Sequence, residues 1–598
     1  MKFIIALVLN MAIIFNGFSQ KTDLKNKVNA LINKMTLEEK VGQMTQIDYD
    51  AVRNNLNDIV DYNVGSILWG GNTEVFDITA NGWAGTYDSL QSLSEMQKSK
   101  IPIIFGIDAV HGHNNVKGAV IFPHNVGLGA TDDAELIEKS AKIIAKEIKG
   151  TGIHWTFAPC VAVARNEKWG RAYESFGEDP TLVKKLSVAF VKGLQGEKLS
   201  DNNSVLACIK HFVGDGGTTN GKDQGNTECD EETLRKIHLP GYVEAINNGA
   251  KSVMISYNSW NNNKLHNHKY LITDLLKGEL KFNGFAVSDW AAIDQLEGDY
   301  KSDIEQSINA GLDLIMIPNG RDKENNYIEF ITKLVELVKE KKVSTKRIDD
   351  AVGRILTVKF ELGLFENRYT DKNLTKQVGS LEHRNVARES VRKSMVLLKN
   401  ENNTLPISKS VKKIHVAGIG ADNVGMQCGG WTYDWQGASG REIVGGTSIL
   451  TAVKKTVSAN TIVTTSVDGS GAEGSDIAIL VVGEKPYAEM FGDKQNLVLS
   501  SEDSLLIANF KTKNIPFVVV LISGRPLIVN SEIEKSNAFI AAWLPGSEGD
   551  GIADILFGDY APTGKLSQTW PKNMEQIPIN VGDKIYEPLF PFGFGLSY

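Results

Sequence analysis

The sequence predicts an α/β protein: a (β/α)8 TIM-like barrel followed by an α/β sandwich domain. Three observations carry that expectation. The chain has 598 residues, well past the size at which one hydrophobic core stops growing, so at least two domains are expected. Between about residues 60 and 320, short apolar runs alternate with amphipathic stretches, the signature of parallel strands covered by helices. After a polar stretch, a second and shorter series of the same alternation begins.

In chain order the first strand runs are "VGSILWGGN", "IPIIFGIDAVHG", "GIHWTFAPCVAVAR", "SVLACIKHFVGDGG", "KSVMISYNSW", "GFAVSDW" and "GLDLIMIPNG". Between them, "DAELIEKSAKIIAKEIKG" and "DPTLVKKLSVAFVKGLQG" place apolar residues three and four apart, as helices require. Seven strands are readable and the eighth is not; the count favours a closed barrel over an open sheet. This domain is expected over 20–365, a linker over 366–382 and the sandwich over 383–575. The sandwich strands are "KIHVAGIG", "NTIVTTSV", "DIAILVVGE", "PFVVVLISG" and "NAFIAAWLPG". Glycines and prolines from 576 to 598 suggest an extended tail packed on the body.

Residues 1–19 have a different character. Lys2, the apolar run "FIIALVLNMAIIF" and the small residues Gly17 and Ser19 form a signal-peptide layout with cleavage after Ser19. The run falls short of the roughly 20 residues a membrane span needs. Export to the periplasm or the medium is expected, without stable membrane insertion. The net charge of -8 argues against a nucleic-acid partner, which calls for a basic face. Cys160, Cys208, Cys229 and Cys428 are too widely spaced for a zinc site or a small disulfide framework. No metal or cofactor is expected.

In a barrel of this kind the active site lies where the strands' carboxyl ends meet. Asp108, Lys210, His211, Tyr257 and Asp289 each end a strand run and should converge there. Asp289 suits a nucleophile, and neighbouring cations would favour its ionised form. The glycines after Lys210 and His211 would let the backbone turn and aim both side chains at the mouth. Asp108 and Arg165 would bond sugar hydroxyls. His111, His113 and His124 lie in a loop rich in glycine and asparagine without a carboxylate partner, which argues against a metal site. In the second domain "VVGEKPYAEMFGD" holds Glu484, Glu489 and Asp493, any of which could protonate a departing oxygen. The loop "CGGWTYDWQG" offers indoles suited to the apolar face of a sugar, with Trp431 expected in the core.

Taken together, "FGIDAVHGHNNVKGAVIFPHNVGLGAT", "KHFVGDGG", "VMISYNSW", "GFAVSDW", "CGGWTYDWQG", "EKPYAEMFGD" and "AAWLPGSEG" resemble family 3 glycoside hydrolases. The likeness is to the two-domain β-glucan exohydrolases and β-glucosidases first known from plants, over nearly the whole mature chain. It implies an exo-acting, retaining β-glucosidase working by double displacement on β-glucosides or β-gluco-oligosaccharides. It places the nucleophile on Asp289 and the acid/base on Glu489. The grip on the terminal glucose falls on Asp108, Arg165, Lys210, His211 and Tyr257, and a sandwich around the next sugar on Trp290 and Trp435.

Departures from the plant pattern are Gln224 for a glutamate, Gln295 for an arginine, and Ala164 for a cysteine, which leaves Cys160 without a loop disulfide. A β-xylosidase is the alternative reading within the family. An N-acetylglucosaminidase is disfavoured because Asp215 stands where those enzymes carry a histidine. A non-catalytic carbohydrate-binding protein is disfavoured because both acids are present.

Overall fold

The computed structural model describes residues 22–598. The expected signal peptide lies outside the described residues. Eight strands form one parallel barrel: β1 (Thr45–Asp48), β2 (Ser66–Trp69), β3 (Ile104–Ile107), β4 (Trp155–Thr156), β5 (Leu206–Phe212), β6 (Ser252–Ile255), β7 (Phe285–Val287) and β8 (Ile315–Ile317). They neighbour one another in sequence order, and β8 returns to pair with β1. The seam between β7 and β8 is thin. A bridge between Val287 and Leu314 and the bond from Ser288 N to Leu314 O, 3.0 Å, close it.

The strand that sequence periodicity does not reveal is β1, "TQID". It is fully buried yet mostly polar. Gln46 is tolerated there because its amide donates to Ser66 Oγ at 2.8 Å, so burial is achieved without apolar content. The run "GIHWTFAPCVAVAR" is the opposite case: only Trp155 and Thr156 form strand. Pro159 cannot donate to a ladder, and the chain continues as irregular loop, with Val161 N bonded to Lys210 O at 2.6 Å.

The outer helices start where their caps dictate. Asp133 accepts from Leu136 N ahead of Ala134–Lys149, and Asp179 accepts from Thr181 N and Leu182 N ahead of Pro180–Gln195. Their apolar faces bury against the barrel, whose core includes the fully buried Trp69, Trp83 and Trp155. Among the described residues no helix is long and apolar enough to cross a membrane.

The second sheet has β9 (Val396–Asn400), β10 (Lys413–Ala417), β11 (Ile462–Ser466), β12 (Ile477–Gly483), β13 (Phe517–Ile522) and β14 (Ala538–Trp543). Its order is β9-β14-β13-β12-β10-β11, parallel except for the antiparallel edge strand β9. The C-terminal residues return to both sheets' neighbourhoods: Leu596 N donates to Leu397 O at 2.8 Å, and Asn580 Nδ2 to Arg165 O at 3.1 Å.

At the foot of the barrel, Lys359 of the Thr345–Glu361 helix is fully buried. Its ammonium donates to Gln43 Oε1, Gly65 O and Pro102 O at 2.7, 2.7 and 2.8 Å. Replacement by methionine keeps the volume and strands three acceptors. Lys359→Met should lower the barrel's stability by about 3 kcal/mol, seen as an earlier midpoint in denaturant titration.

Candidate active site

The loops after the barrel strands and two loops of the second domain enclose a cleft of about 470 Å³. A larger surface basin of about 800 Å³, around Lys142 and Arg392 on the outer helices, holds none of the groups described below.

Asp289 sits one residue beyond Ser288, which ties β7 to β8 by accepting from Met316 N at 2.9 Å. Its backbone N–H donates to His266 Nε2 at 3.1 Å, and its Oδ1 accepts from Trp290 N at 2.8 Å. Oδ2 is buried without a hydrogen-bond partner and lies 3.8 Å from His211 Nε2. Burial pushes this carboxyl up to about 6, against the pull of Arg171 and then Lys210. The cations limit the rise without reversing it.

Lys210 and His211 both face the cleft. Adjacent strand residues ordinarily point to opposite sides. Here the pairing of β5 with β6 slips between Ile209 and Phe212, and the Lys210–His211 and Phe212–Val213 peptide bonds are cis. Lys210 Nζ donates to Asp108 Oδ1 at 3.1 Å and stands 5.7 Å from the centre of the Trp431 ring. His211 Nδ1 is 2.8 Å from Asp215 Oδ2. Burial holds the imidazole well below its ordinary range, hence neutral.

Tyr257 lines the cleft with its hydroxyl donating to the Trp290 carbonyl oxygen. The Trp290 indole donates to Asp48 Oδ2 at 3.4 Å and leaves half its surface open. Trp435 lines the cleft from the second domain, its N–H bonded to Asn72 Oδ1 at 3.1 Å. Trp431 is buried, as its expected core role requires, but it also lines the cleft and donates to Glu174 Oε1 at 3.2 Å.

One expected residue is elsewhere. Arg165 donates to the Glu178 carbonyl at 2.9 Å and faces Asp583 at 3.8 Å, outside the cleft. The guanidinium in the cleft belongs to Arg171, six positions further on in "ARNEKWGR". Glu174 grips Arg171 Nε and Nη2 at 2.8 and 2.9 Å, and Nη1 reaches Glu489 Oε1 at 3.0 Å. The reason is local: after β4 the chain is irregular, so strand-end position no longer says which arginine turns inward. The spacing of Arg171 and Glu174, one helical turn apart, was the available signal.

The three acids of "GEKPYAEMFGD" are separated by their partners. Glu484 is buried against Lys494, Arg525, the Tyr487 hydroxyl and Gly524 N. Asp493 accepts from Gly170 N and Asp223 N, both at 2.8 Å. Only Glu489 faces the cleft. Burial pushes its carboxyl up to about 8; Arg171 opposes the rise, while Asp223 and Asp289 add to it.

Gln224 and Gln295, the departures from the plant pattern, are bonded to each other at 3.0 Å on the rim, and Lys264 donates to Gln295 Oε1 at 2.8 Å. All four cysteines are free. Cys160, His211 and Asp215 bring three donor atoms within 4.8 Å of one another. The imidazole and carboxylate already bond each other, and burial keeps the thiol protonated. His111 and His124 stack at 3.6 Å and bond carbonyl oxygens of Trp431 and Gly430. These histidines brace the tryptophan loop.

Two largely buried carboxyls from separate domains on one cleft, with sugar-compatible indoles around them, form a glycoside-hydrolase class of site. The chain belongs to glycosyl hydrolase family 3: residues 36–358 match the family's N-terminal domain and 395–598 its C-terminal domain. It is 34% identical to the lysosomal beta glucosidase of Dictyostelium discoideum, over 96% of this chain and 76% of that one. Among solved structures it is similar to the exo-1,3/1,4-beta-glucanase of a Pseudoalteromonas species, at 42% identity and TM-score 0.91, covering 96% and 74% of the two chains. A mutant beta-glucosidase of Listeria innocua, solved in complex with laminaribiose, matches at 30% identity and TM-score 0.84, covering 96% and 83%.

The domains meet closely at the acid loop: a Cβ on Gly170 would stand 2.0 Å from the Glu489 carbonyl oxygen. Gly170→Ala should therefore displace Glu489 and lower glycosidase turnover about a hundredfold, while circular dichroism stays unchanged. Wild-type turnover in this variant would contradict the contact.

Proposed function

We propose that the protein is an exo-acting, retaining β-glucosidase that releases β-glucose from the non-reducing end of β-glucosides and β-gluco-oligosaccharides. One observation carries the reading: two largely buried carboxyls from separate domains, Asp289 and Glu489, line one cleft, and burial raises both. The more acidic group suits a nucleophile and the less acidic one a proton donor. The laminaribiose held by the Listeria innocua relative supports a β-linked glucose substrate.

In this mechanism Asp289 Oδ2, which has no hydrogen-bond partner among the described residues, attacks the anomeric carbon. Glu489 gives its proton to the leaving oxygen, and the glycosidic bond breaks as the Asp289 ester forms. Arg171 then stabilises the Glu489 carboxylate across their 3.0 Å contact. Glu489 next takes a proton from water, whose oxygen displaces Asp289 and restores the original configuration. Asp108, Lys210 and His211 close the inner end of the cleft and grip the terminal sugar's hydroxyls. Trp290 and Trp435 bracket the first leaving-group sugar.

Asp289→Ala should abolish turnover with the fold intact; retention of more than a few per cent of activity would refute the assignment. Glu489→Gln should cost about 10²–10⁴-fold on gluco-oligosaccharides and far less on aryl glucosides with good leaving groups. Equal losses on both would count against an acid role.

The pH dependence of kcat/KM should be bell-shaped. The two limbs, at about 6 and about 8, report the two protonation steps of the carboxyl pair, with the active form carrying one proton between them. An activity still rising above pH 9, about one unit past the higher value, would refute a proton donor in this pair.

A further inference from the structure

The acid loop carries apolar surface that the reaction does not use. Met490 and Phe491 directly follow Glu489. Met490 lines the cleft and is 38% exposed. Phe491 is 66% exposed and stands just outside, its ring 5.5 Å from that of Trp435 and at 89° to it. Across the cleft mouth Trp290 is 51% exposed. Single exposed apolar side chains are ordinary. Here three of them, with Trp435, are gathered on the rim of one polar-floored cleft, an arrangement that marks a binding surface.

The direction of the wall decides its occupant. In the β-glucosidase reading Lys210 and His211, both buried, hold the terminal sugar with Asp108, so an oligosaccharide cut at its non-reducing end extends outward from them. Its first leaving-group sugar lies between Trp290 and Trp435. The next unit reaches Phe491, which packs edge to face on Trp435 and is the more exposed of the two rings. A β-linked glucose unit presents an apolar C–H face suited to an aromatic ring.

We propose that Phe491, with Met490, forms a second leaving-group subsite, which holds the sugar two places beyond the scissile bond in substrates of three or more β-linked glucose units. The proposal rests on the β-glucosidase reading. The contact is remote from the breaking bond and is made equally in the ground and transition states. Its loss therefore raises KM and leaves kcat unchanged.

The experiment measures kcat and KM for the full chain on β-linked glucose di-, tri- and tetrasaccharides of one linkage, with an aryl β-glucoside alongside. Wild type should show a lower KM for the trisaccharide than for the disaccharide and no further gain for the tetrasaccharide. Phe491→Ala should raise the trisaccharide KM about five- to tenfold, as expected for uncovering some 50 Å² of apolar contact. The disaccharide KM should change less than about twofold, and Phe491→Tyr should behave as wild type.

Equal losses on di- and trisaccharide would mean that Phe491 only props Trp435, which overturns the subsite. A loss confined to the aryl glucoside would assign the surface to an aromatic leaving group and likewise overturn it. An unchanged trisaccharide KM in Phe491→Ala sinks the subsite alone. Failure of the wild type to cleave any β-glucoside sinks the parent reading.

Discussion

The active site depends on one guanidinium–carboxyl contact that crosses between the domains. Arg171 comes from a barrel loop and Glu489 from the second sheet's loop, and they meet at 3.0 Å with both groups largely out of water. A guanidinium buried this deeply is tolerable only when its donors are matched. Glu174 supplies that match through two parallel bonds and is itself fixed by the Trp431 indole. The result is a chain Trp431–Glu174–Arg171–Glu489 that leaves the second domain, enters the barrel and returns. Undocking the domains would break it at both ends, leaving charged groups unpaired.

Other contacts hold the docking that this pair needs. Arg525 is fully buried, and its guanidinium donates to the barrel-loop carbonyls of Glu167 and Lys168 at 3.2 and 3.0 Å and to Gly492 O. Asp493 ties Gly170 and Asp223 of the barrel to the loop that carries Glu489. His111 and His124 secure the tryptophan loop through carbonyl oxygens, and burial keeps both rings neutral. Neutral donors suit that position, because a charged imidazole there would need an acid partner and would disturb the field around Glu489.

That field is what separates two chemically similar acids. Arg171 lowers both Asp289 and Glu489. Asp289 has the Trp290 N–H and Lys210 to offset the anion Asp108, whereas Glu489 faces Asp223, Asp289 and Glu174 as anions with Arg171 against them. Burial raises both, and the surroundings raise Glu489 further than Asp289. Because the two carboxyls influence each other, their titration belongs to the pair.

Strand and helix periodicity in the sequence was enough for the barrel-then-sandwich order, and strand-end position was enough to pick Asp108, Lys210, His211, Tyr257 and Asp289. Those features are local: an apolar run, a cap or a polar residue just past a strand is written in adjacent residues. Strand β1 escaped because Gln46 is buried by a partner on another strand, which no local pattern records. Arg165 was expected where Arg171 stands, because a loop without repeating geometry does not encode which side chain turns inward. The choice among Glu484, Glu489 and Asp493 came from family likeness alone. The docked domains add a physical reason: Glu484 and Asp493 are bonded away from the cleft, and Glu489, held by Arg171, faces it.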